Sequence, residues 1–256
     1  MRTTRRSRIS SDAYDGPMSA TTHHDTTHHD TGQADTGQAK TGQAKTGHMV
    51  TTIEQLRTMF RAPSALVANK EQDHIDAATG SFIERCPFVL VGTVGGDGTA
   101  DVSPRGGPSG FIRVIDDTHI AIADLPGNNR LDTLENIVTN GQVGLLFVMP
   151  GQGETVRLNG TAHVSTDPAI IAGFTAELKS PKVAIVVTVA GTYVHCAKAM
   201  QRSHIWDPTA WEAFADAPDG AEILVCQNLL PHDVTADTVR GDLQAGYVRA
   251  LAEERS

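Results

Sequence analysis

The chain has little cysteine, few positive charges and no long apolar run. Its 256 residues include three cysteines, Cys86, Cys196 and Cys226, far apart and with no Cys-x-x-Cys pair. That excludes a disulfide framework and a structural zinc site, and points to a reducing, cytoplasmic setting in which the thiols act as small hydrophobes. No apolar stretch approaches the roughly 20 residues of a membrane-spanning helix, so a soluble chain with no membrane partner is expected. The net charge is −9. A general nucleic-acid binder would show a basic face, so nucleic acid is not an expected partner, although a local pocket for a small anion is compatible with this balance. There is no Gly-x-Gly-x-x-Gly after a strand, no Gly-x-Ser-x-Gly and no His-Glu-x-x-His, which removes the Rossmann, common hydrolase and zinc-protease readings.

The first 49 residues lack core formers. They hold Ile9 but no Leu, Val, Phe or Trp, and carry six Lys/Arg against five Asp/Glu. Such a segment has nothing to offset the entropy of ordering. From Thr21 it repeats every five residues, with Thr at 21, 26, 31, 36, 41 and 46. That period matches neither helix nor strand, so residues 1–49 read as a disordered low-complexity tail. His23, His24, His28 and His29 would catch a divalent metal adventitiously, and no metal site is assigned to them. Arg2, Arg5, Arg6 and Arg8 resemble the start of a transit peptide but lack its apolar face, and no secretory apolar stretch follows. Residues 50–256 read as one folded domain with a C-terminal helical extension.

Within that domain, Thr52 is placed to cap a helix with Ile53, Leu56, Met59 and Phe60 on one face, ended by Pro63. A second helix is expected over 72–84. Short β-branched runs then take over: Pro87–Val94, the turn Gly95-Gly96-Asp97-Gly98, and Thr99–Ser103; Phe111–Ile115 and His119–Ala123 around Asp116-Asp117; Val143–Met149; Thr155–Val164; and Val183–Val194. Helices are expected over Arg130–Thr139 and Pro168–Leu178. About seven strands joined mostly by hairpins predict a mainly β, antiparallel barrel with helices.

Three segments carry candidate chemistry. Ser103-Pro104-Arg105-Gly106-Gly107-Pro108 follows a strand, its glycines allow close backbone approach, and Arg105 suits a phosphate or a heterocycle carbonyl; a wide turn with Arg105 in solvent is the alternative. In Pro126-Gly127-Asn128-Asn129-Arg130, Asn128 or Asn129 is placed to cap the next helix. Free amides and the helix dipole there favour an anion, which Arg130 at the first helical position would share; otherwise this is an ordinary capped helix with an exposed Arg. In Tyr193–Trp206, His195, Lys198, Arg202 and Trp206 recur at three- and four-residue steps and would share a face if helical, or would be a solvated face with Trp206 in the core.

The order of PFVLVGTV, DVSPRG, PGNNRLDTLENI, VGLLFVMPG, ETVRLNGTA and HCAKAMQRSHIWDP resembles the pyridoxamine 5′-phosphate oxidase-like flavoproteins, especially their FMN-dependent actinobacterial-type branch. The resemblance covers Ile53 to Asp207. It implies a split β-barrel of the flavin-reductase-like kind, usually a homodimer with two FMN sites at its interface. It implies that Ser103, Arg105 and Gly106 contact the flavin, that Asn128, Asn129 and Arg130 hold the FMN phosphate, and that Lys198, Arg202 and Trp206 reach a flavin of one or the other subunit. The pattern also departs from the family. The end of the chain is not the basic, His-containing segment of the true oxidase, and Gly107 stands where many relatives of the branch have Asp. The expected activity is therefore an FMN-dependent oxidoreductase on a small molecule other than pyridoxamine phosphate. The alternative is a non-catalytic flavin, deazaflavin or haem binder, with His195 the first haem ligand to suspect.

Overall fold

A computed structural model describes residues 48–174 and 179–254. The chain divides into two units, Met1–Phe60 and Arg61–Ser256. In the first unit, α1 (Ile53–Met59) begins at a capping box. The Thr52 hydroxyl accepts from the Gln55 amide while the Gln55 side chain accepts from the Thr52 amide, so two orphan donors of the first turn are satisfied. The pentapeptide repeat, its histidines and the arginine cluster lie outside the described residues.

The second unit opens with α2 (Ala65–Ala68) and α3 (Ala77–Arg85). The helix expected over 72–84 starts later than the sequence pattern suggests. Gln72 pairs instead with Thr192 in an isolated bridge, and Asp76 caps α3 through the amides of Ala78 and Thr79. The strands follow: β1 (Phe88–Val94), β2 (Ala100–Gly106), β3 (Ile112–Val114) and β4 (His119–Ala123). After α4 (Asp132–Thr139) come β5 (Gln142–Val148), β6 (Thr155–Ser165), α5 (Pro168–Ile171) and β7 (Ala184–His195). Of the helix expected over Pro168–Leu178 only this first turn is seen, the last four positions lying outside the described residues. Four more helices follow among the described residues, α6 (Lys198–Ser203), a 3-10 helix (Pro208–Phe214), α7 (Gly220–Cys226) and α8 (Ala236–Glu253).

All seven strands join one sheet in the order β2-β1-β5-β6-β7-β4-β3, every pairing antiparallel. This is the split-barrel fold, and the sheet stays open between β2 and β3. Alternation explains the register. Val89 and Val91 of β1, Leu145 and Phe147 of β5, and Leu158 of β6 turn inward onto Ile83 of α3 and Ile137 of α4. On the opposite face, β4 and β7 bury Ala121, Ala123, Ala184 and Val186 against Phe174. These two strands are therefore covered on both faces, which is why they read as near-continuous apolar runs.

Candidate functional site

The strand after the Gly95–Gly98 turn runs to Gly106, so Ser103, Pro104, Arg105 and Gly106 lie within β2. They are neither a wide turn nor a loop after the strand. Pro104 is tolerated because β2 is an edge strand with β1 as its one neighbour. Register places Asp101, Ser103 and Arg105 opposite the inward-facing Thr93, Val91 and Val89, so all three sit on the core side of the sheet edge. The Ser103 hydroxyl donates to Asp101 at 3.3 Å. Gly106 and Pro104 belong to the other face.

Asp124, just after β4, meets Arg105 across this edge at 3.6 Å, with both side chains largely buried. Burial pushes the Asp124 carboxyl up, and the Arg105 charge only partly opposes it. The Arg105 Nε is a buried donor with no partner among the described residues. A buried donor left unmade is costly, so this atom is built to meet an acceptor. Gly107 adds a steric reason for the narrowness here. A Cβ at that position would lie 2.7 Å from Cγ of the buried Phe111 and 3.2 Å from Leu125, so an Asp there does not fit this packing.

The loop from Asp124 leads through Pro126–Arg130 to α4. Neither asparagine caps the helix. The N-cap is Leu131, in a left-handed conformation with φ 59° and no side-chain cap. The Asn128 side chain accepts from the Arg130 amide at 3.0 Å and so tightens the loop, and Asn129 is left-handed too, with φ 59°. Arg130 precedes the helix, outside its first position. An exposed ion pair with Asp132 raises its pKa, and it lines a cavity of about 290 Å³ with Asp97, Asp101 and Glu135. Asp101 of β2 and Arg130 thus line one cavity, which Ser103 and Arg105 do not reach. α4 is held there by Asn136 Nδ2, which donates to the buried Thr93 hydroxyl at 3.0 Å.

The third segment does not form one helical face. β7 carries Tyr193 and His195, α6 carries Lys198 and Arg202 in solvent, and Trp206 follows the helix, half-buried. The Trp206 indole donates to the Gln152 carbonyl at 2.7 Å, fixing this segment on the β5–β6 loop. Three strands separate β7 from β2, so within one chain these residues are not brought to Arg105. His195 has its pKa lowered by burial and by the charges of Lys70 and Arg157. Asp124 and Lys70 were not singled out by the sequence. The outward parity of Arg157 between Val156 and Leu158 was a readable signal.

Residues 75–196 match the pyridoxamine 5′-phosphate oxidase family model. That segment, a little under half of the chain, belongs to the pyridoxamine 5′-phosphate oxidase-like family. No curated protein matches it. Among solved structures it is similar to HupZ of Group A Streptococcus, at 21% identity over 46% of this chain and 91% of that one, with a TM-score of 0.39. It is also similar to a candidate pyridoxamine 5′-phosphate oxidase of Lactobacillus delbrueckii, at 20% identity over 48% and 95%, TM-score 0.38. A Clostridium acetobutylicum protein related to general stress protein 26 matches at 15% identity over 46% and 86%, TM-score 0.35. No helix among the described residues is long and apolar enough to cross a membrane, and no group of three or more His, Cys, Asp or Glu among them could hold a metal.

Proposed function

We propose that this protein is an FMN-dependent oxidoreductase acting on a small molecule, working in the cytoplasm as a homodimer with FMN at the interface. The observation that carries the reading is the buried Nε of Arg105, on the edge strand β2 beside Asp124, with no partner among the described residues. A planar, electron-rich ring with carbonyl acceptors answers that donor, and the uncapped start of α4 leaves amides for a phosphate. In this reading Ser103 and Arg105 hold the ring by their side chains and Gly106, on the other face, only by its backbone, Asn128, Asn129 and Arg130 hold the phosphate, and Lys198, Arg202 and Trp206 close the site of the partner copy. FMN, when bound, supplies the two-electron chemistry.

The chain's own part is binding, orientation and electrostatics. Arg105 offers a fixed positive charge in a place from which water is largely excluded, where a charge-assisted contact is strong. Asp124 orients that guanidinium, and burial raises the pKa of its carboxyl. The Arg130–Asp132 pair is exposed and worth little, so a phosphate can displace Asp132, although it must then share the cavity with Asp97, Asp101 and Glu135.

The purified protein should show two broad flavin bands, bleach with a nicotinamide cofactor and recover in air. Arg130→Ala should retain the fold and bind FMN roughly tenfold to a hundredfold more weakly. A colourless protein that does not take up FMN on reconstitution would overturn the proposal. A sharp Soret band would assign the chain to the non-catalytic haem-binding alternative.

A further inference from the structure

We propose that Lys70, Arg157, Tyr193 and His195 form a second anion site, on the outward face of β6 and β7, for the phosphoryl or carboxylate group of a small molecule. The site starts from strand parity. Val156 and Leu158 are buried, which turns Arg157 and Asn159 outward, and register pairs Arg157 with Tyr193 and Thr155 with His195. Lys70 is brought over β7 by the Gln72–Thr192 bridge.

Each cation is held in place by neutral groups. The Lys70 ammonium donates to the Val194 carbonyl at 2.7 Å and lies 4.6 Å from the centre of the Tyr193 ring. Arg157 donates from Nε to Asn159 Oδ1 at 3.0 Å and from Nη1 to the Tyr193 hydroxyl at 3.2 Å, with its guanidinium carbon 5.7 Å from the same ring. The His195 ring stands 4.9 Å from that of Tyr193. The face of the tyrosine ring attracts both cations and so gathers like charges that would otherwise separate.

Neither cation forms an ion pair among the described residues, although the chain has 30 acidic residues and pairs Arg105, Arg130 and Arg240 elsewhere. The neighbouring carboxylate, Glu71, lies over Gly191 in the next register row, and it borders the cluster without closing it. Lys70 and Arg157 both depress the His195 pKa, the mark of positive potential at this spot. Ordered cations without a counter-charge are what an oxyanion requires. Arg157 shares its row with the outward Leu90 and Leu146, whereas Arg105 pairs with the inward Val89. Within one chain the cluster and Arg105 thus lie on opposite faces of one sheet.

The test is calorimetric titration of the full chain with pyrophosphate and, separately, with succinate at low ionic strength, alongside the NMR titration of the His195 ring. Saturable binding of one or both anions is expected, and the preferred anion identifies the group recognised. Lys70→Gln and Arg157→Gln should each weaken it about tenfold, and the His195 ring should titrate at higher pH in the complex. Absence of saturable binding by either anion would overturn the proposal. So would binding that survives both substitutions unchanged and leaves the His195 ring unmoved, since the anion would then be held elsewhere.

Discussion

Arg105 keeps 24% of its side-chain exposure and meets one carboxylate, Asp124, at 3.6 Å. The pair is incomplete on both sides: the Nε has no acceptor among the described residues, and the carboxyl is still pushed up by burial. A carboxyl whose folded pKa exceeds its unfolded value favours folding at low pH, and that advantage fades as pH rises through the folded value. Removing Arg105 removes the one charge that lowers Asp124. In Arg105→Ala the Asp124 carboxyl should therefore titrate higher still, which carboxyl-carbon NMR would register. The substitution should also destabilise the protein more at pH 7 than at pH 3, where Asp124 is protonated in either variant, as urea unfolding at the two pH values would show. Arg105 was legible as a candidate because a guanidinium between glycines and prolines is unusual. Asp124 was not, because a single loop carboxylate carries no period or spacing.

α4 shows what one element's sequence reveals and what it hides. The sequence puts Leu131, Leu134, Ile137 and Val138 on one side of its body; Ile137 enters the core with Leu134 packed against it, whereas Leu131 and Val138 are exposed. The start of the helix was not legible: two asparagines ahead of a helix are ordinary capping residues, yet the chain makes a left-handed turn at Asn129 and again at Leu131 before the helix begins. Asn128 spends its side chain on the loop, at the Arg130 amide. The helix is fastened to the sheet by the bond from Asn136 to Thr93, a threonine with 3% exposure. Asn136→Ala should cost about 1–2 kcal/mol because it leaves a buried hydroxyl unpaired. The same change in a Thr93→Val background should cost clearly less, and a double-mutant cycle in denaturant would measure the difference.

At the scale of the whole molecule, hairpin neighbours were readable from turn residues such as Gly95–Gly98, but the pairings β1–β5 and β4–β7 were not. They join strands distant in sequence, and no local signal specifies which long-range edge a strand takes. The division of the chain near Val50 remains a proposal from composition: deleting residues 1–49 should leave both the melting temperature and FMN content unchanged, and a large drop in either would refute it. The sheet's two ends have a further consequence. An unpaired strand border is a template on which foreign strands can grow. Here one border is interrupted by Pro104, which has no amide hydrogen to offer, and the other is the three-residue β3. Each border is thereby a poor seed for fibrils, which guards the open barrel against polymerising through it.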